Sequence, residues 1–397
     1  MKKLLFFLFL FLPISVHALD YPSFSSKIIE VYDLHDEKVL YEVNSNNVTS
    51  IASLTKIATS ITAIENISNL EEEVIITKEM LNTVSWEASV AGLRAGDHLT
   101  YKDLLYASML PSGADATNSL AILLSGDIDS FVSKMNDLAV RLELKNTHFV
   151  NVSGLDIDDH YSTANDVRIL LEYALKNDTF KKIFTTKEYT LSNGLIVKST
   201  LYKYHADYAT MEKIIGSKTG FTYGAGYCLA SLSNINNHLF LILFLNADPY
   251  QNLSDTSLMI DFLREHYKEL LIFSKDQFIQ SIPIVLSKEE EYQVYSNKDI
   301  LKYLPDDYDN NLLKVKYDGL YELDYHIHKG DKIGTVTYSY GDEILYVQDV
   351  VLEKEIHYDI MKIIQKNIVL IISVFLSIIV LFILFILFMK KSKKNKH

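Results

Sequence analysis

Short β-like runs open the pattern of apolar and polar positions. Residues 27–32 and 38–43 place β-formers on either side of a turn-like stretch at 33–37, which predicts a hairpin. The period then lengthens. Ile57, Ile61 and Ile64 recur at i, i+4, i+7, predicting a helix that opens at Ser53. A turn at 93–97 precedes a helix over 100–110, with Thr100 as cap and Asp103 at the capping-box position. Helical patterns follow at 114–124 and 128–142. Another begins where Ser162, Thr163 and Asp166 cap a stretch bearing Val167, Leu170, Leu171 and Leu175. From Tyr189 the period returns to two. Residues 214–219, 226–232 and 238–246 predict adjacent antiparallel strands, closed by a helix over 257–268. Beyond about Lys275, short β-rich segments at 282–286, 313–317 and 332–338 alternate with Gly-Asp turns at 330–331 and 341–342. This order predicts an α/β (α+β) catalytic domain over 24–274, with an antiparallel sheet flanked by helices, and a small all-β domain over 280–356.

Both termini break the globular pattern. Met1-Lys2-Lys3, an apolar run over 4–12, Pro13 and the small-residue pattern ending at Ala18 read as a secretory leader over 1–18. At the far end, residues 368–389 hold 22 positions without a charge, long enough to cross a bilayer. Five lysines follow within 390–397, so the positive-inside rule predicts a cytoplasmic tail and a catalytic domain outside the cytoplasm.

Composition narrows the partners. With 48% hydrophobic residues the chain can fill more than one core, and its formal charge is −13. Setting aside the two lysines of the leader and the five of the tail leaves 31 basic against 51 acidic residues. That balance excludes charge-driven binding of nucleic acid or anionic lipid. The single cysteine, Cys228, leaves no intrachain disulfide and reads as a small apolar core residue.

Two short motifs bear chemistry. Ser53-Leu54-Thr55-Lys56 sets a hydroxyl and an amine three residues apart on one helical face, where the amine can take the serine's proton. A helix start also exposes backbone N–H groups to a developing oxyanion. Lys218-Thr219-Gly220, in a β-like run far downstream, adds a cationic strand edge for a carboxylate. Each motif alone arises by chance; their order gives the pair its weight.

The chain resembles the serine D-alanyl-D-alanine carboxypeptidases among the low-molecular-mass penicillin-binding proteins. The likeness lies in residues 51–56, 104–116, 151–155, 160–163 and 216–220 with Gly226-Tyr227, and extends to 329–334 of the β-rich region. It implies that Ser53 attacks the carbonyl between the terminal D-alanines of a peptidoglycan stem peptide, with Lys56 as base in its neutral form, favoured by a nearby cation such as Lys218. Ser112 would relay a proton to the leaving amine. The N–H groups of Ser53 and Phe221 would form the oxyanion hole. Lys218 and Thr219 would hold the substrate carboxylate, and Gly220 would let the peptide approach the strand. β-Lactams are the implied covalent inhibitors; no metal or organic cofactor is required. One element departs from the family pattern, which has Ser-x-Asn where this chain has Ser112-Gly113-Ala114. The alternatives are a D,D-endopeptidase acting on cross-linked peptidoglycan, or a penicillin- or wall-binding protein with weak turnover because Ala114 replaces the usual Asn. His160 reads as a structural hydrogen-bonding residue beside a cap. His98, His148 and His205 lack metal-ligand spacing, and Trp86 and the tyrosines read as core and surface packing.

Overall fold

A computed structural model describes residues 19–204, 212–324, 326–357 and 359–394. The expected leader over 1–18, His205 and the end of the basic tail lie outside the described residues. The chain divides into two compact units, Met1–Lys268 and Glu269–His397.

In the first unit, β1 (Ile28–Asp33) and β2 (Lys38–Val43) form the expected hairpin. A 3-10 turn over Ala52–Leu54 leads into α1 (Thr55–Asn66). The helical block holds β3 (Glu73–Ile75), α2 (Lys78–Asn82), β4 (His98–Thr100), α3 (Tyr101–Met109), α4 (Ala114–Ser125), α5 (Ile128–Arg141), α6 (Ala164–Leu175) and α7 (Asp178–Thr185). Then come β5 (Glu188–Thr190), β6 (Ile196–Lys198), α8 (Thr200–Tyr204), β7 (Ile214–Thr222), β8 (Gly226–Ile235), β9 (His238–Ala247) and α9 (Gln251–His266).

Five strands make one antiparallel sheet in the order β2-β1-β9-β8-β7. The central strand β9 is buried along nearly its whole length because α6 packs on β1 and β9 while α9 packs on β8 and β9. The last strand in the order, β7, alternates buried Ile214, Gly216, Lys218 and Gly220 with more exposed neighbours. Among the described residues no further strand pairs with its outer edge, which leaves that backbone open to pair with a peptide.

Local capping chemistry sets the helix starts. Thr100 and Asp103 form the expected reciprocal capping box on α3, and the Thr163 hydroxyl accepts the Asp166 N–H on α6. Two boundaries differ from expectation. The helix does not open at Ser53, which sits in the preceding 3-10 turn. The closing helix begins at Gln251, and Tyr267 already belongs to the next strand. Helix α1 is also more enclosed than its isoleucine spacing predicts. Thr59, Ser60 and Thr62 are buried, and Thr59 donates to the Val152 carbonyl at 2.8 Å.

The second unit is all-β apart from a 3-10 turn at Asn310–Leu312 and its end. It contains β10 (Tyr267–Phe273, starting just before the division), β11 (Phe278–Pro283), β12 (Glu291–Tyr295), β13 (Ile300–Pro305), β14 (Leu313–Gly319), β15 (Lys332–Tyr340) and β16 (Glu343–Val351). Their core gathers Phe273, Ile282, Val294, Leu323, Val336 and Tyr338. Two helices follow, α10 (Ile360–Lys366) and α11 (Ile368–Lys394). Within α11, Ile368–Leu387 is apolar, charge-free, long enough to cross a membrane and unburied. An apolar helix exposed along its length is no core helix of a soluble domain.

Candidate active site

Everything at the site starts from the turn before α1. Ala52 adopts a left-handed φ of +46°, a conformation that costs a non-glycine residue energy and needs surrounding contacts to persist. Those contacts are present. The Thr55 hydroxyl donates to the Ala52 carbonyl at 2.8 Å, and the His160 ring nitrogen Nε2 meets Thr55 Oγ1 at 2.8 Å. Because the Val150 N–H donates to His160 Nδ1 at 3.0 Å, the ring proton sits on Nε2 and points to Thr55. Burial, ahead of the nearby His148 charge, pulls His160 down to about 4, so the ring is neutral at pH 7. His160 is thus a positioning group for the turn, as its place in the sequence indicated. Gly154, at φ +85°, lies so close that a Cβ there would fall 1.9 Å from the Ala52 oxygen.

This turn presents Ser53 Oγ 3.1 Å from Lys56 Nζ. Lys56 is 2% exposed, and its amine also reaches the Ser153 carbonyl at 2.5 Å. Ser153 is held in place by Asn151, whose Oδ1 accepts from the Ser153 and Gly154 N–H groups at 3.1 and 2.6 Å. Burial lowers Lys56 to about 7, against the opposing charge of Asp115. Desolvation, rather than the cation expected from sequence, is therefore the main force on this amine. Ser153 was missed as a site residue; its carbonyl could not be singled out from a side-chain motif.

On the other side, Lys218 is 1% exposed and reaches Ser112 Oγ at 3.0 Å and the Thr219 carbonyl at 2.8 Å. Burial, then the charge of Lys56, pushes its amine well below the ordinary lysine value. Ser112 itself is buried and strained, at φ +64°, in the link between α3 and α4. Thr219 Oγ1 meets Thr200 Oγ1 at 2.5 Å, so the first residue of α8 orients the hydroxyl on β7. Thr200 lies outside every motif, and sequence gave no signal for it. Gly220 differs from expectation in what it makes room for. A Cβ there would sit 3.1 Å from both Ala52 Cβ and the Ser53 amide nitrogen, so its absence first lets β7 close on the turn that carries Ser53. Phe221, the next residue, pairs with Tyr227 in the β7–β8 ladder and is 48% exposed.

The Ser112-Gly113-Ala114 corner has no amide side chain at 114. Ala114 is 1% exposed, and its N–H donates to the Ser89 carbonyl at 2.7 Å. Neither nearby polar residue replaces the amide. Asp115 takes the N–H groups of Ala91, Gly92 and Leu93 at 2.8, 2.9 and 3.0 Å, which ties loop 84–97 to the start of α4. Asn118 donates to the Thr83 carbonyl and hydroxyl. Elsewhere, Cys228 is buried and its thiol is pushed up to about 12 by burial, as a core residue should be. Trp86 and Tyr223 are 91% and 99% exposed, so neither belongs to the core, and Tyr223 packs at the surface edge-on against Phe221. Among the described residues no group of three or more His, Cys, Asp or Glu side chains could hold a metal ion.

An antiparallel sheet with helices against it, and a Ser–Lys pair beside the strand at its end, define the class of penicillin-binding serine hydrolases. The chain belongs to the D-alanyl-D-alanine carboxypeptidase family, peptidase S11, which it matches over residues 15–248; residues 267–358 match the C-terminal domain of penicillin-binding protein 5. It is 29% identical over 313 residues to the D-alanyl-D-alanine carboxypeptidase DacF of Bacillus subtilis, covering 78% of this chain and 80% of that protein. It is 28% identical to a D-alanyl-D-alanine endopeptidase of Escherichia coli over 59% of this chain and 76% of the other. The crystal structure of the carboxypeptidase DacD from Francisella tularensis superposes with a TM-score of 0.65, covering 86% and 95% of the two chains at 21% identity, a likeness of fold. The function is that of the family, D-alanyl-D-alanine carboxypeptidase action on peptidoglycan.

Proposed function

We propose that Ser53 is the nucleophile of this reaction and forms the acyl-enzyme as it releases the terminal D-alanine of a stem pentapeptide. The observation that supports this best is the 3.1 Å approach of Ser53 Oγ to a fully buried Lys56 amine. With that amine neutral, the serine hydroxyl donates to it, and the proton passes to Lys56 Nζ as the Ser53 Oγ–carbonyl bond forms. The Ser53 and Phe221 N–H groups would receive the oxyanion. Ser112 Oγ would donate a proton to the leaving D-alanine nitrogen as the amide bond breaks and take one back from the Lys56 ammonium, and water would then release the acyl group. An incoming carboxylate would favour the ammonium form of Lys218, against the burial that disfavours it. Lys218 and the Thr219 hydroxyl would then hold that carboxylate. Gly220 keeps the strand close enough for all of this to converge. β-Lactams would acylate the same serine.

The same reading places a leader over 1–18, a catalytic domain over 24–274, a β-rich domain over 280–356 and a membrane anchor over 368–389, with the 390–397 tail in the cytoplasm. Its support is the uncharged, unburied stretch Ile368–Leu387 followed by lysines. Alkaline extraction of membranes tests the anchor: the full chain should stay in the pellet, and release into the supernatant would remove it.

Labelling with fluorescent penicillin, together with D-alanine release from a synthetic pentapeptide, tests the chemistry. Both should occur in the native chain, and Ser53→Ala should lose both. Undiminished labelling of Ser53→Ala would overturn the assignment.

A further inference from the structure

Four aromatic rings, Tyr227 half-buried and the other three exposed, form a ladder at the end of the β7–β8 hairpin, beside the turn that carries Ser53. Phe221 stacks near Tyr227 with ring centroids 4.4 Å apart, Tyr223 lies 5.8 Å from Phe221, and Tyr250 lies 4.8 Å from Tyr227. Tyr223 is 99% exposed and Tyr250 66%. Tyr250 also holds a left-handed φ of +62° at the start of α9, a conformation for which tyrosine is a poor choice. A contiguous solvent-facing aromatic patch of this kind marks an interaction site.

We propose that this ladder binds the sugar rings of the glycan strand that bears the substrate's stem peptide. Pyranose rings offer apolar C–H faces to aromatic rings and hydroxyl edges to phenols, which matches three tyrosines and a phenylalanine in contact. The acidic chain, at −13, does not suit an anionic lipid surface.

The ladder is tied to the turn that carries Ser53. Asp156 accepts from Ser50 Oγ at 2.6 Å on one side, and from Thr222 Oγ1 at 2.8 Å and the Gly224 N–H at 2.9 Å on the other. The hairpin tip therefore cannot drift from the turn that carries Ser53. Lys218 and Gly220 point toward Ser112 and Ser53, so strand alternation turns the Phe221 ring to the opposite face. The ladder thus lies outside reach of the scissile bond. A five-residue stem extends to about 17 Å, and Tyr223 is only three residues beyond Gly220, so the attached sugar can reach the rings.

The inference rests on the acyl-transfer reading of the cleft, and two substrates separate them. The full-length protein in nanodiscs is assayed for D-alanine release from free pentapeptide and from polymeric wall carrying pentapeptide stems. Binding of a β-1,4-linked N-acetylglucosamine hexamer is measured alongside, independently of turnover. Tyr223→Ala should lower kcat/KM on the polymer about fivefold and weaken hexamer binding to a similar degree. Free pentapeptide should be turned over within about twofold of the native rate, and Tyr223→Trp should restore the polymer rate. Equal losses on both substrates, unchanged polymer turnover, or hexamer binding indifferent to Tyr223→Ala would each overturn the proposal. So would a loss confined to binding of phosphatidylcholine vesicles, which would make the ladder a membrane contact. Absence of pentapeptide turnover in the native chain would strike the cleft assignment instead, leaving hexamer binding to decide this one.

Discussion

The side-chain nitrogen of Lys56 lies 2.5 Å from the carbonyl oxygen of Ser153, ninety-seven residues further along the chain. That carbonyl receives one amine proton and leaves the nitrogen lone pair free to face Ser53 Oγ. Burial does the rest by disfavouring the ammonium form, so a lysine that is an acid in water becomes a base near neutrality.

The acylation rate should therefore follow Lys56. The neutral base accumulates above its folded value of about 7, so penicillin acylation should rise through that pH and then level off. Stopped-flow acylation across pH 5–9 checks this; a flat profile would remove Lys56 as the base.

Lys56 should also cost stability. Its folded value lies below the ordinary 10.5, so the penalty grows as pH falls from 10.5 to about 7 and is constant below that. Lys56→Met should accordingly stabilise the chain at pH 7, on the order of 3–5 kcal/mol by linkage, while abolishing acylation. Urea unfolding at pH 7 and pH 10 measures the gain, which should shrink at the higher pH.

His160 predicts an acid limit. With a folded value of about 4 against an ordinary 6.5, its contribution is complete above pH 6.5 and is lost as pH falls toward 4. The loss should approach about 3 kcal/mol, and His160→Gln should flatten that part of the pH–stability curve.

Gly154→Ala should be among the most damaging single-methyl changes. The added carbon would meet the Ala52 carbonyl at 1.9 Å and adopt a left-handed φ. A stability loss of at least about 2 kcal/mol and displacement of Ser53 should follow, read as lower Tm and at least about tenfold slower penicillin labelling. Gly220→Ala, with contacts near 3.1 Å to Ala52 and Ser53, should slow labelling with a smaller loss in Tm.

Ala114→Asn restores the amide that the family pattern has and this chain lacks. It should raise D-alanine release from pentapeptide by about tenfold or more, the scale of one positioned donor. Because Ala114 is only 1% exposed, overpacking should also lower stability by about 1–3 kcal/mol. Kinetics and a thermal melt on the same preparation read both effects.

Where information was local, it was legible in the residues. Thr100 with Asp103 and Thr163 with Asp166 announced helix starts because a cap needs only a side chain and an N–H three residues on. Ser53 and Lys56 announced a pair for the same reason. The apolar run at 368–389 was plain from composition. By contrast, the start of α9 was misplaced because Tyr250 sits in a left-handed turn that its residue type does not advertise.

From sequence alone came the order of the motifs, the β–helical–β succession of the first unit, the all-β character of the second and the family resemblance. Tertiary structure alone decided that Lys218 meets Ser112, that Ser153 holds Lys56, that Asp115 clamps residues 91–93 and that Gly220 backs onto the Ser53 turn. It also put Trp86 and Tyr223 at the surface rather than in the core. Periodicity and caps are short-range and written in neighbouring residues. Proton affinity and close approach depend on what removes water from a group, and that is set by chain brought back from a hundred residues away.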